Sequence, residues 1–309
     1  MKTTFEMRQP YAKTFLDCAT AFPCNSPARP VRFIRTMTQN RGSVSSLTGM
    51  GLDEDGLERK NPVIVGLGDS VTAGHFEALD DLNCPAEWIN EILRRANASP
   101  SDIDFEAFHH PDQREALLAD LASKIPEGQG FPPIEITDSR RCYLEIFRQR
   151  LIDRYQQTSV STINAGIAGD TLIMMERRLT RDVIRYQPDL TLINGSLNWN
   201  DVLGTTDDYK HILRSIVRRI KSETEADIVL MTPNGMVGDS HACDTLTERV
   251  MAIRETAVAE QVCLADAYAV WEMARDQGCP WREMLSNGIN HPTVIGHIVY
   301  VEMLMKLFY

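Results

Sequence analysis

Short apolar runs alternate with amphipathic runs from Val63 onward, and this alternation limits the chain to very few folds. Apolar runs that end at Gly, Asn or Asp are typical of buried strands. The segments between them repeat apolar residues at spacings of three and four, which is the period of an amphipathic helix. Alternating strands and helices favour right-handed crossovers and a parallel sheet covered by helices on both faces. The predicted strands span residues 63–67, 160–164, 190–193, 228–232 and 262–264.

The same pattern predicts the helices that cover the sheet. Their apolar faces fall within residues 144–155, 172–183, 209–220 and 246–259, and a last helix falls within 292–307. The interval 74–139 shows no strand pattern, but it contains two helical stretches, at 85–98 and 111–125. We interpret residues 76–138 as a helical insertion, which either decorates the surface or caps a pocket.

Residues 1–61 form an amino-terminal extension in this interpretation, and residues 62–309 form the main domain. Prolines interrupt the extension repeatedly, a short strand is predicted at 31–35, and residues 49–61 are typical of a polar connection. We expect the extension to pack on the core and to pair with a sheet edge or a second subunit. The sequence is therefore compatible with a homo-oligomer.

The charge of the chain weighs against a nucleic-acid partner. It has 32 Lys and Arg against 43 Asp and Glu, a formal net charge of −11, whereas phosphate binding needs a clustered basic surface. Arg177 and Arg178 lie beside acids in a helical segment, and we interpret them as part of a solvated helix face. No apolar run approaches the roughly 18 residues that cross a bilayer, and the amino terminus lacks a secretion signal. We expect a cytoplasmic protein without a membrane partner.

Cofactor motifs are also missing from the sequence. The seven cysteines are scattered and lack metal-ligand spacing, which argues against a zinc site or a disulfide framework. The glycine-rich segment around Ser70 has no Lys for a P-loop, and Val71 stands where a dinucleotide fingerprint needs a third glycine. We therefore expect no cofactor and no metal.

The first predicted strand ends at Gly68-Asp69-Ser70, where ligands of a parallel sheet are usually bound. A nucleophile elbow would read Gly-x-Ser-x-Gly, but Thr72 occupies its last position. Taken alone, the motif Gly-Asp-Ser favours a helix cap at Ser70 over a nucleophile.

Three further loops follow predicted strands or precede the last helix, and all of them carry reactive or polar groups. The glycine-rich segment 163–171 leaves backbone N–H groups near a helix start, which suits a developing negative charge. Segment 188–198 ends with the amide of Asn198, and His291 precedes the last helix. These features are expected to meet at the carboxyl edge of the sheet.

Together the motifs resemble those of the SGNH (GDSL-type) hydrolases, a family of esterases and acyl hydrolases. The resemblance runs from about residue 63 to 309, apart from the insertion. It implies an α/β, flavodoxin-like three-layer sandwich with a five-stranded parallel sheet. It also implies that Ser70 is the nucleophile and that His291 is its base. The implied oxyanion hole consists of the N–H groups of Ser70 and Gly169 and the amide of Asn198.

The third motif departs from the family pattern, which is usually Gly-x-Asn-Asp. Counted from the strand, its Asn falls on Asn198, with Ser196 in place of the Gly and Trp199 in place of the Asp. An alternative register uses Asn200 and Asp201 but lies two residues further from the strand. We favour Asn198.

The acid of the family's triad is a second departure. It usually stands three residues before the histidine, where this chain has Gly288, or four before it, where it has Asn287. An Asn oxygen can accept the Nδ1–H of an imidazole but cannot compensate its charge. We therefore predict a Ser70–His291 dyad oriented by Asn287 or by a backbone carbonyl, with Asp266 as the weaker candidate.

The other histidines are interpreted as structural or surface residues. His297 is expected to pack or cap on the last helix, and His75 is too close to Ser70 along the chain to act as its base. His109 and His110 belong to the insertion and are expected at the surface.

The implied substrate is a small-molecule ester, with an acetyl group on a carbohydrate as first choice. Longer acyl esters, as for a lysophospholipase or thioesterase, remain the alternative. A non-catalytic binding protein with the same fold is the contrasting hypothesis, suggested by the two departures from the family pattern.

Overall fold

Five parallel strands form the centre of the chain, in a computed structural model that describes residues 4–41, 61–77, 86–99, 101, 111–128, 135–155, 158–237 and 241–309. These strands are β1 (Val63–Gly68), β4 (Ser161–Gly166), β5 (Leu190–Asn194), β6 (Asp227–Met231) and β7 (Cys263–Ala265). Their order across the sheet is β4-β1-β5-β6-β7, and every pairing is parallel. The predicted flavodoxin-like sheet is therefore confirmed, with strand ends that differ from the prediction by one or two residues.

Helices cover both faces of the sheet. In chain order the helices of eight or more residues are α1 (Thr4–Ala21), α2 (Val31–Arg41), α4 (Ala86–Arg95), α5 (Pro111–Lys124), α6 (Tyr143–Arg154), α9 (Thr206–Glu223), α11 (Leu246–Glu260), α12 (Ala267–Asp276) and α13 (Val294–Met305). The shorter ones are α3 (Ser70–Ala73), α7 (Leu172–Arg177), α8 (Leu179–Asp182) and α10 (His241–Asp244). None of the helices that the structure describes is long and apolar enough to cross a membrane.

Alternate strand residues point to two separate apolar cores. Ile64 of β1 belongs to the core beneath α1, α6, α12 and α13, whereas its neighbour Val65 belongs to the core beneath α7, α9 and α11. Both side chains are fully buried. Because successive residues of a strand face opposite sides, this division produces the predicted three layers.

The amino-terminal segment is helical, so the predicted short strand at 31–35 is wrong. Phe33 and Met37 of α2 are fully buried one turn apart, and Asp227 accepts the Phe33 N–H at 2.8 Å in the first turn of the helix. The helix α1 packs against α12 and α13, where Phe15 meets Trp271 edge-on with ring centroids 5.0 Å apart. The expected polar connection at 49–61 lies almost entirely outside the described residues.

The insertion contains strands that the sequence pattern does not reveal. Strand β2 (His75–Glu77) pairs antiparallel with β3 (Glu135–Thr137), and α4 and α5 lie between them in the chain. The Asp138 N–H also donates to the Gly74 carbonyl at 2.8 Å. The two ends of the insertion are therefore joined directly beside α3.

The predicted helix at 172–183 is broken into α7, α8 and a 3₁₀ turn at Ile184–Tyr186. Arg178 stands at the break with φ −96° and ψ 4°, outside the helical region. The apolar face is retained, since Leu172, Met175 and Leu179 are all buried.

The register of the sheet brings three carboxyl ends to one place. Gly68 pairs with Gly166 of β4 on one side and with Asn194 of β5 on the other. The loops that follow these three strands therefore start side by side. Strand order reverses around β1, and such a switch point is where open α/β sheets bind their ligands.

Candidate active site

Ser70 and His291 meet at the carboxyl end of β1. The Nε2 atom of His291 lies 2.9 Å from Oγ of Ser70, although 221 positions separate the two residues along the chain. Both are largely buried, with 5% and 6% of their surface exposed. A hydroxyl within hydrogen-bond distance of an imidazole nitrogen is the arrangement that activates a serine nucleophile.

Asp69 fixes the turn that carries Ser70. Its side chain caps the short helix α3 by accepting the Val71 N–H at 3.0 Å. Burial raises the pKa of its carboxyl to about 7, and the nearby charge of Asp170 acts in the same direction. The Val71 N–H opposes this shift because it stabilises the charged form.

Gly68 allows the strand to pass very close to its neighbours. A Cβ atom at this position would lie 2.0 Å from Oγ1 of Thr72 and 2.6 Å from the carbonyl oxygen of Asn194. Real atoms do not approach that closely, so a side chain at position 68 would displace the turn that carries Ser70. Close contacts therefore explain the glycine at position 68, and the cap on α3 explains the aspartate at position 69.

The loop after β4 presents Gly169 in a left-handed conformation, with φ +72° and open space around it. Glycine adopts this conformation without strain. The Ile167 N–H donates to the Gly68 carbonyl at 3.1 Å, which joins this loop to the end of β1. Gly169 is therefore solvent-exposed and lies on a loop that is joined to the turn carrying Ser70.

Asn198 belongs to the same side of the site. Its amide Nδ2 donates to the backbone carbonyl of Asp170 at 3.0 Å, so the side chain is tied to the residue that follows Gly169. Asn200, in the alternative register, accepts the Val202 N–H within its own turn. The geometry thus favours Asn198 as the amide that faces the glycine loop.

The loop before His291 is held by uncharged groups. Oδ1 of Asn287 accepts the backbone N–H groups of Ile289, Asn290 and His291 at 2.9–3.0 Å. Asn234, in the loop after β6, donates its amide to the Asn290 carbonyl at 2.9 Å. These contacts fix the backbone on which the imidazole is mounted.

The structure gives the two predicted orienting residues other partners. Oδ1 of Asn287 accepts three backbone N–H groups, so this residue holds the loop, and its role in orienting the imidazole ring stays a prediction. Asp266 is buried beside Arg254, which contacts its carboxylate at 2.9 and 3.1 Å, and it also accepts hydrogen bonds from Thr232 and Asn25. Asp266 is therefore bound in a structural cluster at the end of β7.

The remaining histidines fall into three cases. His297 is fully buried, accepts the Tyr143 N–H at 3.2 Å and packs against Phe76, in agreement with its expected structural role. Burial lowers the pKa of its imidazole to about 3. His75 is closer to the site than expected, with its ring edge-on to His291 at a centroid distance of 6.1 Å. His109 and His110 lie outside the described residues.

Two buried arginines at the site were missed by sequence reasoning. Arg178 is 8% exposed, so its interpretation as part of a solvated face is wrong, whereas its neighbour Arg177 is exposed. Arg249 is fully buried and donates to the carbonyl of Ser196 at 2.9 Å. The only signal for Arg178 is its place in the apolar period between Met175 and Leu179, which sequence reasoning gave less weight than the acids nearby.

The arrangement as a whole suits acyl transfer. It combines a hydroxyl, an imidazole and backbone N–H groups that can face a developing negative charge. Within the part of the chain that the structure describes, no group of three His, Cys, Asp or Glu residues is arranged to hold a metal ion.

A family comparison matches more than half of this chain. Residues 125–298 match the GDSL-like lipase/acylhydrolase family. The match includes Gly169, Asn198 and His291 but begins after Ser70, which the insertion separates from the rest. A search of the curated proteins finds no match.

Solved structures with the same fold include three kinds of protein. An acetylxylan esterase from Geobacillus stearothermophilus is 19% identical, with 80% of this chain and 94% of that chain covered and a TM-score of 0.52. A protein described as a GDSL-like lipase, from Parabacteroides merdae, is 19% identical with 81% and 96% covered and the same TM-score. An α/β hydrolase enzyme from the metagenome of Lake Arreo is 16% identical, with 80% and 94% covered and a TM-score of 0.52.

Proposed function

We propose a mechanism and a substrate for this chain, which belongs to the GDSL-like lipase/acylhydrolase family and is a carboxylic ester hydrolase. Its mechanism is a two-step acyl transfer through Ser70. His291 Nε2 removes the hydroxyl proton while Oγ attacks the ester carbonyl, and the imidazolium then protonates the departing alcohol. Water next attacks the acyl-enzyme and gives a proton to His291. The second intermediate then collapses, as the imidazolium returns that proton to Oγ of Ser70 and the acid is released.

The negative charge of each tetrahedral intermediate falls on the former carbonyl oxygen. We assign its stabilisation to the N–H groups of Ser70 and Gly169 and to the amide of Asn198. These donors are fixed before the substrate arrives, so they need no reorganisation during the reaction. The left-handed turn at Gly169 and the bond from Asn198 to the Asp170 carbonyl support this assignment.

The observation that carries the proposal is the 2.9 Å contact between Ser70 and His291. The two residues are 221 positions apart in the sequence, and both are largely buried. A serine that only capped a helix would need no imidazole at its hydroxyl.

We assign a small acyl group, such as acetyl on a carbohydrate, as the substrate. The described similarity to an acetylxylan esterase supports this choice. A longer acyl chain is the second candidate, because Ile167 and Ile289, on loops beside the site, are 44% and 51% exposed. Exposed apolar side chains at a binding site favour an apolar part of the ligand.

A fluorophosphonate probe and p-nitrophenyl acetate together test the mechanism. The unchanged chain should label once and hydrolyse the ester, and Ser70→Ala should lose both properties. Neither label nor turnover in folded unchanged protein would support the non-catalytic binding protein instead.

A series of p-nitrophenyl esters with acyl chains of two to twelve carbons tests the substrate. The proposal expects kcat/KM to be highest for acetate and to fall steadily with length. A maximum at eight carbons or more would select the second candidate. Acetylated xylo-oligosaccharides then distinguish a carbohydrate acetyl group from other small esters.

A further inference from the structure

The buried side chain of Arg178 contacts backbone carbonyls on two strands that carry site loops. Its Nη2 donates to the Gly68 carbonyl at 3.0 Å, and its Nη1 donates to the Ala165 carbonyl at 2.7 Å. Gly68 belongs to the strand that ends at the nucleophile, and Ala165 belongs to the strand that precedes the glycine loop. One guanidinium therefore joins two of the three loops.

The third loop is connected through Asp170. Nε of Arg178 donates to the Asp170 carboxylate at 2.7 Å, and this carboxylate is itself buried. The backbone carbonyl of Asp170 accepts the amide of Asn198 at 3.0 Å. The ion pair between Arg178 and Asp170 is thus connected to all three groups assigned to the oxyanion hole. Gly68 precedes the turn of Ser70, Asp170 follows Gly169, and the Asp170 carbonyl binds Asn198.

Every guanidinium nitrogen of Arg178 donates a hydrogen bond. Its Nη1 also donates to Asp182 at 2.9 Å, so all three guanidinium nitrogens have acceptors in fixed directions. An arginine can satisfy such a set because it carries five N–H donors in a rigid plane. A lysine presents one ammonium group and cannot reach both carbonyls and both carboxylates at once.

We propose that the buried Arg178–Asp170 ion pair is a positioning element that sets the distance between the three oxyanion donors. The inference rests on the proposed function, since it concerns the geometry of that same site. Neither side chain needs to contact substrate. Their effect is on the transition state, because an oxyanion donor displaced by 1 Å loses most of its stabilising effect.

The test uses Arg178→Lys and Asp170→Asn, which retain a cation and the shape of the acid. Circular dichroism and thermal melting check the fold, and fluorophosphonate titration counts the active sites. We expect kcat per titrated site for p-nitrophenyl acetate to fall about 30- to 100-fold in Arg178→Lys, with KM changed by less than about threefold. Arg177→Lys, at the exposed arginine next to Arg178 in the chain, is the matched control and should retain its kcat.

A double-mutant cycle with Asn198→Ala separates positioning from mere stability. If Arg178 sets the donor geometry, Asn198→Ala should cost about 10²-fold in the unchanged chain but less than about tenfold beside Arg178→Lys. Equal costs in both backgrounds would overturn the inference. So would unchanged kcat per titrated site in both Arg178→Lys and Asp170→Asn, whatever their melting temperatures.

The two proposals fail differently. Unchanged protein that neither labels nor turns over refutes the hydrolytic mechanism itself. Active unchanged protein with insensitive Arg178 and Asp170 variants refutes only the positioning role.

Discussion

The two sides of the site are held by different kinds of interaction. The oxyanion side depends on a buried, charge-assisted network around Arg178 and Asp170. The histidine side depends on neutral amides, since Asn234 and Asn287 hold the backbone around His291. Charge-assisted hydrogen bonds are roughly twice as strong as neutral ones, so the oxyanion side is the more rigidly determined of the two.

This difference coincides with the chain's departure from the family pattern, the missing acid before His291. The two positions where the family carries its triad acid hold Gly288 and Asn287, and Asn287 accepts hydrogen bonds from the loop backbone. Uncharged groups therefore hold the backbone that carries His291, while the charged groups lie on the side to which we assign the oxyanion donors. Substitutions on the two sides should differ in size and in the kinetic parameter that they change.

The largest effect is expected for His291→Ala. Loss of the base leaves Ser70 with a hydroxyl proton that no neighbouring imidazole removes, and kcat should fall about 10⁴-fold or more. Stopped assays with p-nitrophenyl acetate measure this loss. A variant with a tenth of the original activity would show that another group, with His75 as the nearest imidazole, can act as base.

The oxyanion side comes next, through Asn198→Ala. Removal of one donor should lower kcat about 10²- to 10³-fold with KM nearly unchanged, because the donor acts on the tetrahedral intermediate. Asn200→Ala is the matched control and should retain full turnover. The opposite result for the pair would move the oxyanion donor to the alternative register.

Two replacements at Asn287 test the histidine side. Asn287→Ala removes the acceptor of three backbone N–H groups, and we expect about a tenfold lower kcat and about 1–3 kcal/mol less free energy of unfolding. Asn287→Asp retains the acceptor and should keep the loop intact. Denaturant titrations and kcat measured on the same preparations check both, and equal behaviour of the two variants would contradict a role in holding the loop.

Last comes Asp69, where the expected effect is on the pH dependence of stability rather than on turnover. Its pKa is raised to about 7 in the folded state, so from about pH 4 to 7 the unfolded chain releases this proton and the folded chain keeps it. The contribution of Asp69 to stability is therefore present at low pH and is lost as pH rises through about 7. Asp69→Asn should flatten this dependence by up to about 1.4 kcal/mol per pH unit. An identical pH profile of the unfolding free energy in both proteins would contradict the raised pKa.

The central sheet could be predicted because each strand is a local pattern. Five apolar runs with turn residues at their ends are visible within windows of a few residues, and parallel pairing follows from the helices between them. Three candidate loops followed from the same argument, since parallel strands share one carboxyl edge. The pairing of Ser70 with His291 was instead implied by the resemblance to the family, because His291 precedes a helix and does not follow a strand.

Elements that depend on distant contacts were not predictable in this way. The segment at 31–35 is rich in β-branched and aromatic residues, which favours a strand, but Phe33 and Met37 are buried one helical turn apart against the core. Strands β2 and β3 have three residues each and are separated by the insertion, so neither shows a period of its own. Arg178 was misread for a related reason, because its acceptor at Gly68 lies 110 positions away.

The position of His291 beside the last long helix has a consequence for biosynthesis. As the chain leaves the ribosome, Ser70 emerges 221 residues before His291, its proposed base. Strands β1 to β7 are all made by then, so a nascent sheet carries the nucleophile turn and the glycine loop without a group to activate them. His291 lies three residues before α13, which packs against both α1 and α6. In the proposed mechanism, hydrolysis therefore requires the segment around His291 to have joined the folded sheet, and a translation product that stops before His291 lacks the proposed base.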